Sequence, residues 1–198
     1  KELKKEIGNE KEYSNDIDLL ISQTKRCSEI LKQISRKQIE EDIFLSSIKF
    51  EDLLEEIINS FKETSSKEIF LLTDNDQNKI AIQRTPEIIY GLRNFIGNAV
   101  KFSKSKIKIN LVSDQNIIEI KVNDDGPGIP EDIINTIGEP YIKSKSKELN
   151  SNSGLGLGTF LGKTLLERQN AKLLFKKKGD LGGAQVVIKW DPKNLINS

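Results

Sequence analysis

Two runs of alternating apolar and polar residues, Lys106 to Ser113 and Asn116 to Val122, meet at Asp114-Gln115 and read as an antiparallel hairpin with one face buried. The second strand runs without a break into Asn123-Asp124-Asp125-Gly126-Pro127-Gly128-Ile129-Pro130. A strand that ends in a glycine turn with two carboxylates at its entrance rules out an all-helical chain and sets a polar loop at one end of a sheet. The flanking segments supply the cover. Phe50 to Ile58 is an amphipathic helix, Glu68 to Thr73 and Lys79 to Gln83 are short β-type runs, and Pro86 is placed to open a helix to about Phe102. Downstream lie a Lys-, Ser- and Asn-rich loop over 141–153 and a second glycine run, Gly154-Leu155-Gly156-Leu157-Gly158. A helix from about Thr159 to Gln169 follows, then two strands, Lys172 to Lys177 and Ala184 to Trp190, joined by a turn at Gly179 to Gly183.

The first forty residues have a different period. Residues 1–7 are helix-forming and stop at Gly8-Asn9, after which Ser14-Asn15-Asp16 offers capping oxygens for a new helix, so the segment reads as a helical hairpin. Ile17, Leu20, Thr24, Cys27, Leu31 and Ile34 recur at alternating spacings of three and four, the seam of a helix packed lengthwise on others. Such a helix either lies on its own domain or forms half of an antiparallel pair that dimerises into a four-helix bundle; the strict heptad favours the second. The change of pattern between Glu40 and Ser47 divides the chain into a helical part, residues 1–40, and a mixed α/β part, residues 41–198.

Composition excludes several functions. Thirty-one basic and 30 acidic residues are interspersed for a net charge of +1, so no field of one sign draws nucleic acid, and none is expected as a partner. The longest purely apolar runs are tetrads such as Ile69-Phe70-Leu71-Leu72, against the ~20 residues a membrane span needs, so no membrane contact by this segment is expected. The sequence does not begin with Met and lacks a signal peptide, as expected of a piece of a longer protein. One cysteine and no histidine exclude an internal disulfide, the common zinc sites and every histidine-dependent triad. The cytosol is the expected compartment, with the parent protein free to carry an inner-membrane anchor elsewhere.

Asn94 and Asn98 stand four apart on one helix face, and Lys101 follows one turn on. An amide oxygen is a neutral hard ligand suited to Mg²⁺, which keeps several waters and takes its other ligands from phosphates, and a lysine beside it offsets phosphate charge. The pair could equally be solvated helix polars; its neighbours in the chain decide. In order come the Asn/Asn/Lys helix, Asp124-x-Gly126-x-Gly128, Glu139-Pro140-Tyr141, and Gly154-x-Gly156-Leu157-Gly158 opening a helix.

That order resembles the N, G1, F and G2 boxes of the ATP-binding domain of sensor histidine kinases, within the ATPase superfamily shared with gyrase and the Hsp90 chaperones, over about residues 45–191. The hairpin with Gln23-Thr24-Lys25-Arg26-Cys27, together with "GEPY" and "KTLLER", is similar to the RegB/PrrB-type subgroup. The resemblance implies a two-layer α/β sandwich, the Bergerat ATP-binding fold, preceded by a dimerisation hairpin. It implies ATP and Mg²⁺ as cofactors, a homodimer formed through the hairpin, and a response-regulator receiver domain as partner. Asp124 would accept from the adenine amine, Gly126 and Gly128 would let the backbone pass close to the base, and Phe102 and Ile129 would line its pocket. Leu155, Gly156, Leu157 and Gly158 would hold phosphate through backbone N–H groups at a helix N-terminus. Asn98 would ligate Mg²⁺ with support from Asn94, while Lys101 and Lys145 would approach the terminal phosphates; Lys143 or Lys147 could replace Lys145, or the three could form only a solvated loop. An amide at Asn94, where related hydrolases carry a glutamate base, implies little ATP hydrolysis. The phosphoryl acceptor histidine of the resembled family has no counterpart in the sequence. Cys27 is either a small buried hydrophobe of the seam or, by the same resemblance, a redox-responsive thiol. A nucleotide-binding regulatory module, either an anti-sigma-type serine kinase or a pseudokinase, is the competing reading.

Overall fold

The computed structural model describes residues 47–74, 80–114, 116–140 and 157–196. The chain divides into two units, Lys1–Ile43 and Phe44–Ser198, and every described residue belongs to the second. The expected hairpin, with its Cys27 seam, and the segment 141–156, with Lys145, Leu155 and Gly156, lie outside the described residues.

Described elements run β1 (Ser47–Lys49), α1 (Phe50–Lys62), β2 (Glu68–Thr73), β3 (Ala81–Gln83), α2 (Pro86–Phe102), β4 (Lys106–Ser113), β5 (Ile118–Asp124), α3 (Leu157–Arg168), β6 (Lys172–Lys176), β7 (Gln185–Trp190) and α4 (Lys193–Ile196). Five strands form one sheet in the order β2-β4-β5-β7-β6. β2 runs parallel to β4, with Glu68 against Lys106, and every other pairing is antiparallel, with Ile107 against Asp124, Ile118 against Trp190 and Leu173 against Ile188. β1 and β3 make a separate antiparallel pair.

Sheet and helices join because each is apolar on one side. In β4 the buried residues Ile107, Ile109 and Leu111 alternate with polar ones, and their face continues in Ile118, Ile120 and Val122 of β5 and Ile188 of β7. Helix α1 turns Phe50, Leu53, Leu54, Ile57 and Ile58 inward, and α2 turns Ile88, Leu92, Phe95, Ile96 and Ala99. The start of α2 follows from chemistry: the Thr85 hydroxyl accepts from the Ile88 N–H at 3.3 Å, and Pro86 occupies the first turn, where a missing N–H removes no helical bond. Helix α2 lies between α1 and α3 and over β5, α1 also packs on β2, and α3 on β6. The result is the expected two-layer α/β sandwich with a mixed sheet.

One expectation about the sheet needs correction. The alternation predicted a hairpin buried on one face; β4 obeys it, but β5 is buried almost throughout. The outward residues of β5 are covered by long lysine side chains and by the turn between β6 and β7. Glu119 lies 2.8 Å from the Lys121 ammonium and 2.5 Å from that of Lys189. Burial raises its carboxyl pKa, but these two cations outweigh that and hold it below the ordinary value. Asn123 is roofed by the turn between β6 and β7.

Candidate functional site

The end of β5, the end of α2 and the start of α3 converge. Asp124, the last residue of β5, is 5% exposed, and its Oδ1 accepts from the Gly126 N–H at 2.8 Å and the Ala184 N–H at 3.1 Å. Both bonds fall on Oδ1 and neither on Oδ2. Burial raises the Asp124 pKa; the two N–H groups counteract it and the charge of Asp125 adds to it, for a net rise. A buried acceptor without a cation beside it suits a neutral N–H donor better than a phosphate.

The two glycines of the loop have separate reasons. A Cβ on Gly126 would lie inside van der Waals contact with the Phe102 carbonyl, so this turn approaches the end of α2 more closely than any side chain permits. Gly128 has φ +82°, a backbone state that L-residues with a Cβ rarely adopt. After it the Ile129 N–H donates to the Lys177 carbonyl at 3.1 Å, and the Ile129 side chain is buried.

Helices α2 and α3 meet through small residues. A Cβ on Gly91 would sit 2.5 Å from Leu166, and one on Gly162 would sit 2.9 Å from the Asn94 Cβ. That close crossing brings Asn98 to the first turn of α3, where its Nδ2 donates to the Thr159 hydroxyl at 3.2 Å. Asn94 is turned to its own helix, donating to the Tyr90 carbonyl at 2.8 Å. Lys101 places its ammonium 5.1 Å from the centre of the Phe102 ring, a cation–π contact at the exposed end of α2. The described part of α3 starts at Leu157, against about Thr159 read from the sequence, and Leu157 and Gly158 are its first described residues. Its first described turn carries no acidic side chain.

The described candidate residues lie on three segments: Asn98, Lys101 and Phe102; Asp124, Gly126, Gly128 and Ile129; Leu157 and Gly158. Asn98 links the first to α3 through Thr159, and Gly126 links the second to the first at the Phe102 carbonyl. Asn94 belongs to the α2–α3 contact, which it shares with Gly162. Sequence reasoning missed the task of Asp125. Its Oδ1 accepts from the N–H groups of Lys104 at 2.7 Å and Ser105 at 3.0 Å, and its Oδ2 from the Ser105 hydroxyl at 2.9 Å. Burial pushes this carboxyl up, but the N–H groups of Ser105 and Lys106, the Ser105 hydroxyl and the Lys104 N–H outweigh it and hold it at about 2. Of the paired acids, one is buried at the end of β5 and the other pins the chain leaving α2. Thr159 and Ala184 were also missed; neither has a local signal, since each acts on a residue about sixty positions away.

Fold and site together define an ATP-binding domain. The chain belongs to the family of histidine kinase-, DNA gyrase B- and HSP90-like ATPases, which matches residues 84–194. Among its relatives, the sensor histidine kinase RegB of Cereibacter sphaeroides is 32% identical over 187 residues, covering 90% of this chain and 40% of RegB. The sensor histidine kinase CpxA of Escherichia coli K12 is 31% identical over 101 residues, covering 51% of this chain and 22% of CpxA. The chain thus spans about two fifths of the RegB length. The nucleotide-free catalytic domain of the histidine kinase ThkA superimposes with a TM-score of 0.61 at 22% identity, covering 74% of this chain and 97% of that one. The mycobacterial sensor histidine kinase MprB does so with a TM-score of 0.60 at 16% identity, with the same coverage. These likenesses establish the fold.

Proposed function

We propose that the chain is the catalytic part of a two-component sensor kinase, which binds Mg-ATP and hands the γ-phosphoryl to a protein histidine for relay to a response-regulator receiver domain. The observation that carries this is the Asp124 carboxylate, buried, with one oxygen fixed by two backbone N–H groups and the other left for the adenine amine. Phe102 and Ile129 flank the base, and Gly126 and Gly128 admit it close to the backbone. The first N–H groups of α3 at Leu157 and Gly158 receive phosphate oxygens, together with Leu155 and Gly156 before them. Lys101 and Lys145 offset the charge of the terminal phosphates.

Among the described residues no group of three His, Cys, Asp or Glu could hold a metal ion. An ion here would take its ligands from phosphate oxygens, water and a neutral amide, and the Asn98 carboxamide at the N-terminus of α3 fits that donor set. Mg²⁺ so bound would neutralise charge on the phosphates during transfer. Asn94 supports Asn98 from the preceding turn. The protein's contribution is positioning: an amide at Asn94 cannot take a proton from water, so the γ-phosphoryl is kept for a protein acceptor. The helical part, residues 1–40, serves as the dimer contact, and the sequence contains no histidine, so the acceptor must reach the site from another segment.

The test supplies that acceptor. Radiolabelled ATP is added to the chain with a separate polypeptide carrying the histidine-bearing helix of a RegB-type kinase. Acid-labile label is expected on the added polypeptide and none on the chain. Robust phosphate release by the chain alone, abolished by Asn94→Ala, would overturn the mechanism.

A further inference from the structure

On the sheet face away from the helices, two buried amides meet. The Asn123 Oδ1 accepts from the Gln185 Nε2 at 2.5 Å and from the Asp180 N–H at 3.3 Å; Asn123 is 0% exposed and Gln185 3%. Because a backbone N–H can only donate, Asp180 fixes which end of the Asn123 amide faces it, and hence which end of Gln185 faces Asn123. The Asn123 Nδ2 is buried without a partner. A buried amide pair with an orphan donor adds little net stability over an apolar pair of similar volume. Its effect is geometric, and the geometry leads to the nucleotide site.

The amides hold down the turn between β6 and β7, residues 177–184. Gly179 approaches so closely that a Cβ there would be 2.5 Å from the Asn123 Oδ1. The turn closes on itself through the Gly179 N–H to the Gly183 carbonyl at 2.7 Å and the Gly182 N–H to the Gly179 carbonyl at 3.0 Å. It then reaches around the end of β5. The Gly183 N–H donates to the Asp124 carbonyl at 3.0 Å, the Ala184 N–H to Asp124 Oδ1 at 3.1 Å, and the Lys177 carbonyl accepts from Ile129. A Cβ on Gly183 would fall 2.5 Å from the Gly126 nitrogen. Asn123 holds the middle of this turn at Asp180 and its closing residue at Gln185; beside Gln185, Gly183 and Ala184 hold Asp124, and at the opening of the turn Lys177 holds the loop at Ile129.

We infer that the buried Asn123–Gln185 pair and the β6–β7 turn it anchors are a positioning device for adenine recognition, acting from the sheet face opposite the helices through Gly183 and Ala184 on Asp124. Asn123 and Gln185 touch no ligand; they are positioning residues. The inference rests on the assignment of Asp124 to the adenine base. It differs from that assignment in predicting that changes on the far face alter affinity for the base and leave the phosphate contribution alone.

The test uses the whole chain with ADP and adenosine as probes. Asn123→Ala removes the shared acceptor, and Gln185→Met keeps about the same volume while removing the whole amide, the Nε2 donor together with its Oε1. Each is expected to weaken ADP and adenosine by the same factor, about tenfold, equivalent to one compromised buried hydrogen bond. The ratio of the two affinities should stay unchanged, as should the Mg²⁺ dependence. The double variant should be no worse than the poorer single one, because both act through one turn. Hydrogen exchange at the Ala184 and Gly183 amides should quicken in both variants without ligand, while amides in α2 keep their wild-type protection. General loosening would not spare α2, and it would lower ADP binding more than adenosine binding if it reached the start of α3. Should Asn123→Ala fail to fold, Gln185→Met decides. Unchanged nucleotide affinity in a folded variant, with Asp124→Asn binding weakly, overturns this inference alone. Unchanged affinity in Asp124→Asn overturns the base assignment and this inference with it.

Discussion

Replacing Asp125 by alanine removes the carboxylate that takes the Lys104 N–H at 2.7 Å, the Ser105 N–H at 3.0 Å and the Ser105 hydroxyl at 2.9 Å. Its folded-state pKa is about 2, below the ordinary 3.8, so the folded chain prefers the charged form more than the unfolded chain does. By linkage the difference would amount to about 2 kcal/mol for a shielded group, and partial exposure with solvent screening reduces this to about 1 kcal/mol. Because the folded pKa is depressed, that stability is fully present above about pH 4 and is lost as pH falls towards 2. Urea unfolding of wild type and Asp125→Ala at pH 7, 5, 4, 3 and 2.5 measures it. Other carboxylates titrate in both proteins, so the difference between the two curves isolates this one. A gap of about 1 kcal/mol is expected, constant from pH 7 to 5 and largely closed by pH 2.5. A gap that persists undiminished at pH 2.5, or no gap at pH 7, would refute the reasoning, since neither is compatible with a charged staple at the end of α2.

Other substitutions probe the remaining contacts. Gly126→Ala drives a methyl into the Phe102 carbonyl, which is backbone and cannot rotate away, so ADP affinity by calorimetry should fall at least about tenfold. Asn98→Ala should abolish the Mg²⁺-dependent increment in ADP affinity while adenosine binds as before, measured by titration with and without the ion. Gly91→Ala gains up to about 1 kcal/mol of helix propensity but overpacks against Leu166, which is 0% exposed, at about 1–3 kcal/mol; a net loss in thermal stability is expected.

How far the sequence carried depended on the range of each interaction. Elements with a local period or a local cap were legible: the alternation of β4, the Thr85-Pro86 start of α2 and the turn between β6 and β7 all stand where the pattern puts them. The double burial of β5 was not, because it depends on Lys189 reaching Glu119 from seventy residues away and on the turn between β6 and β7 covering Asn123. Asp124 could be singled out from its place in an ordered series of motifs. Asp125 could not, because it stands one residue past the end of β5 and its partners Lys104 and Ser105 lie about twenty positions away. β1 and the C-terminal α4 gave no periodic signal because they are three and four residues long, whereas β3 lies within the short β-type run read over Lys79 to Gln83.

The central claim is that Asp124 reads the adenine base, and titration of ADP into wild type and Asp124→Asn tests it most directly. The asparagine keeps the shape but replaces an acceptor-only group with one that also donates, so it meets the exocyclic amine with a donor or gives up the Gly126 and Ala184 N–H groups. At least about a tenfold loss of ADP affinity is expected, with an equal loss for adenosine. Equal affinity of variant and wild type for both would contradict the account.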